Sequence, residues 1–142
     1  MLIVSKGPYR EKLVRYTSKV YGGGIEFLEP QPRRKYLELL SRARYAVNPS
    51  RHKAFSMFTA EALACGVPVI TTAIVKFKIW YKQGVYLCNN FEELEKLLSL
   101  IIKSEEEVRR ALIEYSHQFR QLFSWNNLAD KFISIINSFT RK

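Results

Sequence analysis

The chain has 142 residues, of which 47% are hydrophobic, so it can bury the core of one domain and is too short for two domains of ordinary size. Its formal net charge is +10, and residues 1–53 hold 12 Lys and Arg against 4 Glu. This excess favours anionic partners such as phosphates, nucleic acid or an acidic membrane face, whereas no window approaches the roughly 18 apolar residues of a membrane span.

The start of the chain predicts a strand, a helix and a second strand. The apolar run "LIVS" (2–5) is a short strand stopped by Gly7, and Pro8 is well placed to open a helix. The predicted inward positions of that helix are Leu13, Tyr16 and Val20. The run "GGG" (22–24) ends the helix, and "IEFL" (25–28) is the second predicted strand.

A second helix and a third strand follow. The helix begins at Arg33, and its apolar positions are Tyr36, Leu39, Leu40 and Ala43. The strand is "YAVN" (45–48). The stretch "NPSRHKAFSMFTAEALACGVPVITT" (48–72) then holds a turn, a basic loop, an Ala-rich helix whose one carboxylate is Glu61, a Gly stop and a β-branched strand at 68–72.

The rest of the chain predicts one more strand and then helices only. The strand is "VYLC" (85–88), and the first helix is 91–103. Ser104 with three following glutamates starts the next helix, and the last one has a stripe of Leu128, Phe132, Ile135 and Phe139. Alternating strands and helices predict an α/β, Rossmann-like fold with a mostly parallel sheet of about five strands and helices on both faces. We expect residues 1–142 to form a single domain, with 91–142 as its C-terminal helical segment.

The loop before the Ala-rich helix is a candidate anion site. In α/β sheets, ligands bind beyond the carboxyl ends of the strands, and the N–H groups of Ser56 to Phe58 would be donors for a phosphate at the helix N-terminus. Arg51 and Lys53 add positive charge beside them. Glu61 lies about five residues into the helix, where its carboxylate can accept from two vicinal hydroxyls such as those of a ribose. The alternative is a solvated glutamate paired with a nearby lysine.

The segment "YLELLSRARYAVNPSRHKAFSMFTAEALACGVPVITT" (36–72) resembles the C-terminal, donor-binding lobe of retaining GT-B glycosyltransferases of the family 4 type, also described as glycosyl transferases group 1. Its most specific part is the "PS" followed by "EALACGVPVITT", which matches the family's P-S and E-A-x-A-x-G-x-P-V-I-x-T pattern. Further segments are similar to the family at 2–13, 25–40 and 123–136, so the resemblance covers nearly the whole chain.

The resemblance implies a lobe that binds a nucleoside-diphosphate sugar, with no metal or other cofactor. In the family, two glutamates spaced E-x7-E frame the donor. The second, which holds the ribose hydroxyls, is Glu61 here, and the catalytic position of the first, which faces the hexose, is Lys53. The other implied positions are a base-side loop at Leu28 and Glu29 and a diphosphate loop at Ser50, Arg51, Ala54, Phe55, Ser56, Met57 and Phe58.

This chain departs from the family pattern at several of these positions. Lys53 reverses the charge of the first glutamate, and it either neutralises the diphosphate, reads an acidic sugar, or marks an inactive site. Ala54 and Ser56 stand where the family has glycines, which give the backbone more freedom close to a phosphate. In the loop after the fourth strand, a Gly-Gly pair and a Glu of the family are replaced by Val75, Lys76 and Ile79.

The family's acceptor-binding lobe and the first strand of its C-terminal lobe have no counterpart in this sequence. Because that strand is central, we expect either that the strands at 2–5 and 45–48 pair directly or that another chain fills the gap. The predicted function is a glycosyltransferase donor-binding domain for a UDP-, GDP- or other nucleotide sugar in hexosyl transfer. It would need an acceptor-lobe protein as partner or form a homo-oligomer.

The alternative function is a catalytically degenerate lobe that acts as a basic interaction module. Its partner would be an anionic membrane surface or nucleic acid, and the lack of a sequence-specific DNA- or RNA-binding motif disfavours nucleic acid. The cations that would carry this role are Arg10, Lys12, Arg15, Lys19, Arg33, Arg34, Lys35, Arg42 and Arg44.

Metal and disulfide chemistry are not expected. His52, in the loop near the ligand, and His117, on a helix surface, are too far apart in sequence to suggest a metal site. Cys65 and Cys88 are predicted to be buried thiols in a reducing compartment. The N-terminal apolar run is too short for a secretory leader, so we expect a cytoplasmic protein that can lie peripherally at a membrane.

Overall fold

The computed structural model describes residues 1–4, 6–49, 56–72 and 83–140. The chain forms two compact units, Met1–Glu38 and Leu39–Lys142, and each is described by itself. In both units the described strands are short and parallel, and helices follow them along the chain.

The first unit is built on a two-stranded parallel sheet. Strand β1 (Leu2–Val4) pairs with β2 (Glu26–Leu28), and helix α1 (Arg10–Tyr21) connects them. Gly22 ends α1 in the left-handed conformation, with φ 63°, which a residue without a Cβ adopts at no steric cost. Helix α2 (Arg33–Ser41) begins in this unit and ends in the second. The predicted strands and helices of this part of the chain are therefore confirmed.

The predicted inward face of α1 is wrong. Leu13, Tyr16 and Val20 are 46, 59 and 51% exposed, and no residue of α1 is buried. The Nη2 group of Arg10 donates to the carbonyl oxygen of Phe27 at 3.4 Å, so the side of α1 that carries Arg10 is turned toward β2. The apolar positions point elsewhere, because a two-stranded sheet offers too little surface to cover more of the helix.

The second unit contains a three-stranded parallel sheet in the order β3–β4–β5. Its elements are β3 (Ala46–Asn48), α3 (Met57–Ala64), β4 (Val69–Thr72), β5 (Val85–Cys88), α4 (Phe91–Lys103), α5 (Glu105–Leu122) and α6 (Trp125–Thr140). These ranges confirm the predicted strands at 45–48, 68–72 and 85–88 and the predicted helix at 91–103.

The central strand β4 lies in the core of this unit. Val69 and Ile70 have no exposed surface, and neither does Leu63 of α3. Ile70 packs in a buried cluster with Cys88 of β5 and Ile101 of α4. A short run of β-branched residues that is buried on both faces is typical of a parallel strand covered by helices.

Helix α3 passes into β4 through a Schellman motif. The N–H of Val67 donates to the carbonyl of Ala62 at 2.9 Å, and the N–H of Gly66 donates to the carbonyl of Leu63 at 3.0 Å. Gly66 has φ 72°, the left-handed conformation that this motif needs after the helix. The predicted Gly stop is confirmed, and it fixes where β4 begins.

All pairings among the described strands are parallel, which confirms the α/β class. The five strands form a pair and a triplet. In the described residues, β1 pairs only with β2 and β3 only with β4, so direct pairing of the strands at 2–5 and 45–48 is absent. Each of these two strands therefore has an edge without a strand partner in the described part of the chain, and such edges can accept a further strand.

Helix α6 carries its predicted apolar stripe, but the stripe is exposed. Leu128, Phe132, Ile135 and Phe139 are 40, 64, 54 and 77% exposed, and Trp125 is 87% exposed. Their spacing of three and four residues puts them on one side of the helix. The amphipathic pattern predicts the helix correctly. Within the described residues, no other element buries its apolar stripe.

Candidate functional site

A hydrogen-bonded polar cluster lies where β3 and β4 end and α3 begins. The Nδ2 group of Asn48 donates to Ser56 Oγ at 2.9 Å and to Thr59 Oγ1 at 3.3 Å. Thr71 Oγ1 donates to the carbonyl oxygen of Asn48 at 2.9 Å. Ser56, Thr59 and Thr71 are at most 3% exposed. The cluster thus fixes the N-terminus of α3 at the carboxyl edge of the strands, where α/β sheets bind ligands.

Ser56 caps α3 and does not present its hydroxyl to solvent. Its backbone is extended, and its Oγ accepts from the N–H of Thr59 at 3.2 Å, as an N-cap serine does. With Asn48 as a second partner, the hydroxyl is used inside the protein. Ser56 therefore serves the predicted phosphate loop by positioning the helix.

The first N–H groups of α3 belong to Met57 and Phe58. In the part of the chain that the structure describes, neither N–H donates a hydrogen bond. The Met57 side chain is 61% exposed, and Phe58 is half-buried. Helix N-terminal N–H groups carry a partial positive charge, so they can receive an anion. The geometry is compatible with the predicted diphosphate contact, which stays a prediction.

Glu61 is half-buried and lies one turn after Met57 on α3. Residues four apart share a helix face, whereas Ala62 and Leu63 have no exposed surface and point into the core. Side chains on a helix lean toward its N-terminus, which directs the Glu61 carboxylate to the face that carries Met57. Its predicted contact with ribose hydroxyls stays a prediction.

Several predicted site residues lie outside the described residues. They are Ser50, Arg51, His52, Lys53, Ala54 and Phe55 before α3, and Val75, Lys76 and Ile79 after β4. Their proposed roles, including the three alternatives for Lys53, stay predictions. The hydrogen bond between Asn48 and Ser56 joins described residues on either side of the first of these segments.

The predicted base-side residues belong to the first unit. Leu28 is the half-buried last residue of β2, and Glu29 follows it. The Oε1 atom of Glu29 lies 3.1 Å from Nη2 of Arg10, and its side chain is 63% exposed. Arg10 Nε is buried, and no atom of the described residues accepts a hydrogen bond from it. Glu29 is thus held by an ion pair within its own unit, and its role toward a base stays a prediction.

The sequence analysis did not identify Asn48, Thr59 and Thr71 as part of this region. Local signals point to Thr59 and Asn48, and none points to Thr71. Ser56 precedes Thr59 by three residues at the start of an apolar helix, which is the spacing of an N-cap bond. Asn48 ends a strand just before a Pro-Ser turn, where an amide side chain commonly bonds to nearby polar groups.

Away from this cluster, burial changes the pKa values of two side chains of β5. Burial raises the pKa of the Cys88 thiol, and the negative charge of Glu93 raises it further. Burial also raises the pKa of Tyr86. Cys65 and Cys88 are both free thiols, the first half-buried and the second buried. His117 is exposed on α5, as predicted.

The described residues contain no cluster of three or more His, Cys, Asp or Glu side chains that could hold a metal ion. Among the helices of the described ranges, none combines the length and the apolar composition needed to span a membrane.

The sequence of this chain is similar to those of known glycosyltransferases. The sequence pattern of the family described as "Glycosyl transferases group 1" matches residues 1–119. Two similar relatives are the D-inositol 3-phosphate glycosyltransferase of Corynebacterium urealyticum, 25% identical over 117 residues, and the GDP-mannose-dependent alpha-(1-6)-phosphatidylinositol dimannoside mannosyltransferase of Mycobacterium tuberculosis, 26% identical over 142 residues. The matches cover 80% and 97% of this chain and 28% and 35% of the two relatives.

A similar solved structure is that of sucrose-phosphate synthase from Thermosynechococcus elongatus. The two align with a TM-score of 0.76 and 20% sequence identity, over 99% of this chain and 38% of that chain. This likeness shows the fold and confirms the expected α/β class. The chain spans between 28 and 38% of the length of these three proteins.

Proposed function

The chain belongs to the glycosyl transferases group 1 family, and we propose that it is the donor-binding part of a glycosyltransferase. It takes a nucleoside-diphosphate sugar at the N-terminus of α3. The diphosphate accepts from the N–H groups of Met57 and Phe58, and Glu61 accepts from the ribose hydroxyls. No metal is needed, because the helix N-terminus supplies the positive end of a dipole.

The observation that supports this proposal best is the buried polar cluster around Asn48. Hydrogen bonds of 2.9 to 3.3 Å tie the end of β3 to the start of α3 and leave the first two N–H groups of that helix without acceptors in the described residues. A preorganised donor pair costs less ordering entropy when the ligand binds. The same helix carries the half-buried Glu61 one turn after Met57.

The acceptor and the partner follow from the relatives. Their names specify D-inositol 3-phosphate and phosphatidylinositol dimannoside, so a phosphate-bearing acceptor is our choice for this chain. A protein with net charge +10 attracts such acceptors. The chain spans about a third of these relatives' length, so we expect it to bind the donor alone and to transfer the sugar only with an acceptor-binding polypeptide.

The test is donor binding by the purified chain. Titration with UDP- and GDP-sugars should raise the melting temperature, since a ligand at 100 times its Kd stabilises the native state by about 2.7 kcal/mol. Glu61→Ala should abolish most of this shift. Glu114→Ala is the matched control because it removes an exposed carboxylate from α5, which lies outside the proposed site.

Each outcome bears on the proposal. A shift that is lost in Glu61→Ala and kept in Glu114→Ala supports it. No shift with any nucleotide sugar overturns it and favours a degenerate lobe. A shift that survives Glu61→Ala would show that the nucleotide binds elsewhere.

A further inference from the structure

One face of α1 combines an exposed apolar stripe with a row of cations. Tyr9, Leu13, Tyr16 and Val20 are 71, 46, 59 and 51% exposed. They follow one another at intervals of four, three and four residues, which puts them on one narrow side of the helix. Two tyrosines and two aliphatic side chains are thus presented together to solvent.

Lys12, Arg15 and Lys19 run beside this stripe. At about 100° per residue, they lie roughly 70–130° from its centre, all on the same side. All three are exposed, and none forms an ion pair within the described residues. On the opposite side of the stripe, Arg10 donates to the carbonyl oxygen of Phe27 in β2 and pairs with Glu29, so its charge is used within the first unit. A surface that binds the apolar stripe would therefore also contact these cations.

We propose that this face of α1 binds the surface of an anionic lipid bilayer. Helices that lie in a membrane interface bury an apolar side to the depth of the headgroups and keep Lys and Arg in contact with the anionic lipids. Tyrosine suits this position because its ring is apolar and its hydroxyl stays hydrated. The long stems of Lys12 and Lys19 can lie along the interface while their ammonium groups reach the phosphates.

Charge distinguishes a lipid surface from two other occupants of the stripe, a second copy of the chain and a nucleic acid. A second copy of the chain would bring two charges of +10 together and would place the same row of cations at both sides of the contact. A nucleic acid backbone would engage the cations and leave the apolar stripe in water or against phosphates. Of these three occupants, the anionic lipid surface is the one that satisfies both the stripe and the cations.

The longer apolar stripe of α6 does not share this pattern. Its polar side holds Asp130 next to Lys131, so the described part of the helix carries no net charge along the stripe. An anionic surface gains nothing there from electrostatic attraction. The inference is therefore specific to α1, and it stands independently of donor binding at Glu61.

The test measures sedimentation of the chain with lipid vesicles. We expect binding to vesicles that contain phosphatidylglycerol, weak binding to vesicles of phosphatidylcholine alone, and a decrease at high salt. Lys12→Gln with Lys19→Gln should lower the partition coefficient about 25-fold, taking about fivefold for each cation at the surface. Leu13→Ser with Tyr16→Ser should lower it at least about tenfold, even at low salt.

The matched control is Lys96→Gln with Lys103→Gln. This pair is also exposed, spaced seven residues apart on a single helix, α4, and changes the net charge by the same amount. It should lower binding much less than the α1 pair. Helix content by circular dichroism shows that each variant remains folded.

Three results would overturn the proposal. One is the absence of binding to anionic vesicles. The second is an equal loss in the α1 pair and the α4 pair, which would show attraction by net charge without a defined face. The third is a concentration-dependent dimer that Leu13→Ser with Tyr16→Ser dissociates, without lipid binding, which would identify a second copy as the occupant.

Discussion

The side-chain amide of Asn48, at the end of β3, donates to the hydroxyl of Ser56, the N-cap of α3, over 2.9 Å. Eight positions separate the two residues in sequence, and most of the intervening ones belong to the predicted diphosphate loop. The hydrogen bond joins described residues on either side of positions 50–55. It therefore links the stability of the second unit to the geometry of the proposed donor site.

We predict that Asn48→Ala destabilises the protein by about 1–3 kcal/mol. The substitution removes the amide donor from two buried hydroxyls. Ser56 Oγ keeps the N–H of Thr59 as a donor, whereas Thr59 Oγ1 loses the bond from Asn48, and a buried polar group left unsatisfied costs that much. Urea unfolding followed by circular dichroism measures the change. Asn126→Ala, on the exposed surface of α6, is the control and should leave the free energy of unfolding almost unchanged.

We predict that Asn48 and Ser56 are energetically coupled. Ser56→Ala should cost roughly 1–2 kcal/mol through loss of the N-cap. The double variant should cost less than the sum of the single ones, with a coupling of about 0.5–3 kcal/mol, because each single change already breaks the shared hydrogen bond. A double-mutant cycle in urea gives this number. Strict additivity would mean that the hydrogen bond does not contribute.

Local signals in the sequence predicted some elements within one residue. Helix α4 begins after Asn90, whose Oδ1 accepts from the N–H of Glu93 at 2.9 Å, and this N-cap follows directly from residue type and spacing. The Gly stop after α3 is equally local, since only the φ of Gly66 decides it. Such features depend on neighbours within a few residues, so they can be predicted from the sequence alone.

Features that depend on distant partners were not predictable in this way. The period of apolar residues in α1 is correct, yet it does not reveal that β1 and β2 form a sheet of only two described strands, which leaves every residue of α1 at least partly exposed. The polar cluster also depends on tertiary structure, because Thr71 meets Asn48 only once β3 and β4 are paired. The family resemblance supplied Glu61, but it carries no information on Asn48 and Thr71.

We predict that Gly84→Ala is strongly destabilising, by roughly 2–4 kcal/mol. A Cβ at this position would lie 2.2 Å from Leu112 Cδ2 and 2.8 Å from Leu63 Cδ2, and the residue has φ 79°. The cost combines overpacking of a buried site with a left-handed backbone. Thermal or urea unfolding measures it.

Gly66→Ala separates the steric cost of Gly84→Ala from the cost of its left-handed backbone. Gly66 has φ 72°, but a Cβ there would meet no atom closer than 3.8 Å. This variant should therefore lower the free energy of unfolding only by the cost of the left-handed backbone, about 1–2 kcal/mol. Leu112→Ala should relieve part of the clash when combined with Gly84→Ala. If Gly84→Ala cost no more than Gly66→Ala, the steric part of the argument would be wrong.

We predict that Cys88 makes the protein less stable at alkaline pH. Burial, with a smaller contribution from Glu93, raises the pKa of this thiol in the folded chain, so the folded state keeps its proton at a pH where the unfolded state has lost it. The free energy of unfolding therefore falls as the pH rises above the ordinary thiol pKa of about 8.5. Urea unfolding between neutral pH and about pH 10 measures the slope.

The contribution of Cys88 appears as a difference between variants, because lysines and tyrosines titrate in the same range. Cys88→Ala should show a shallower decline than the unaltered chain, whatever its stability at neutral pH. Cys65→Ala removes the other thiol, which is less buried, and should keep the original slope. Parallel curves for the unaltered chain and Cys88→Ala would contradict the prediction, since a thiol that ionises equally in both states cannot alter the slope.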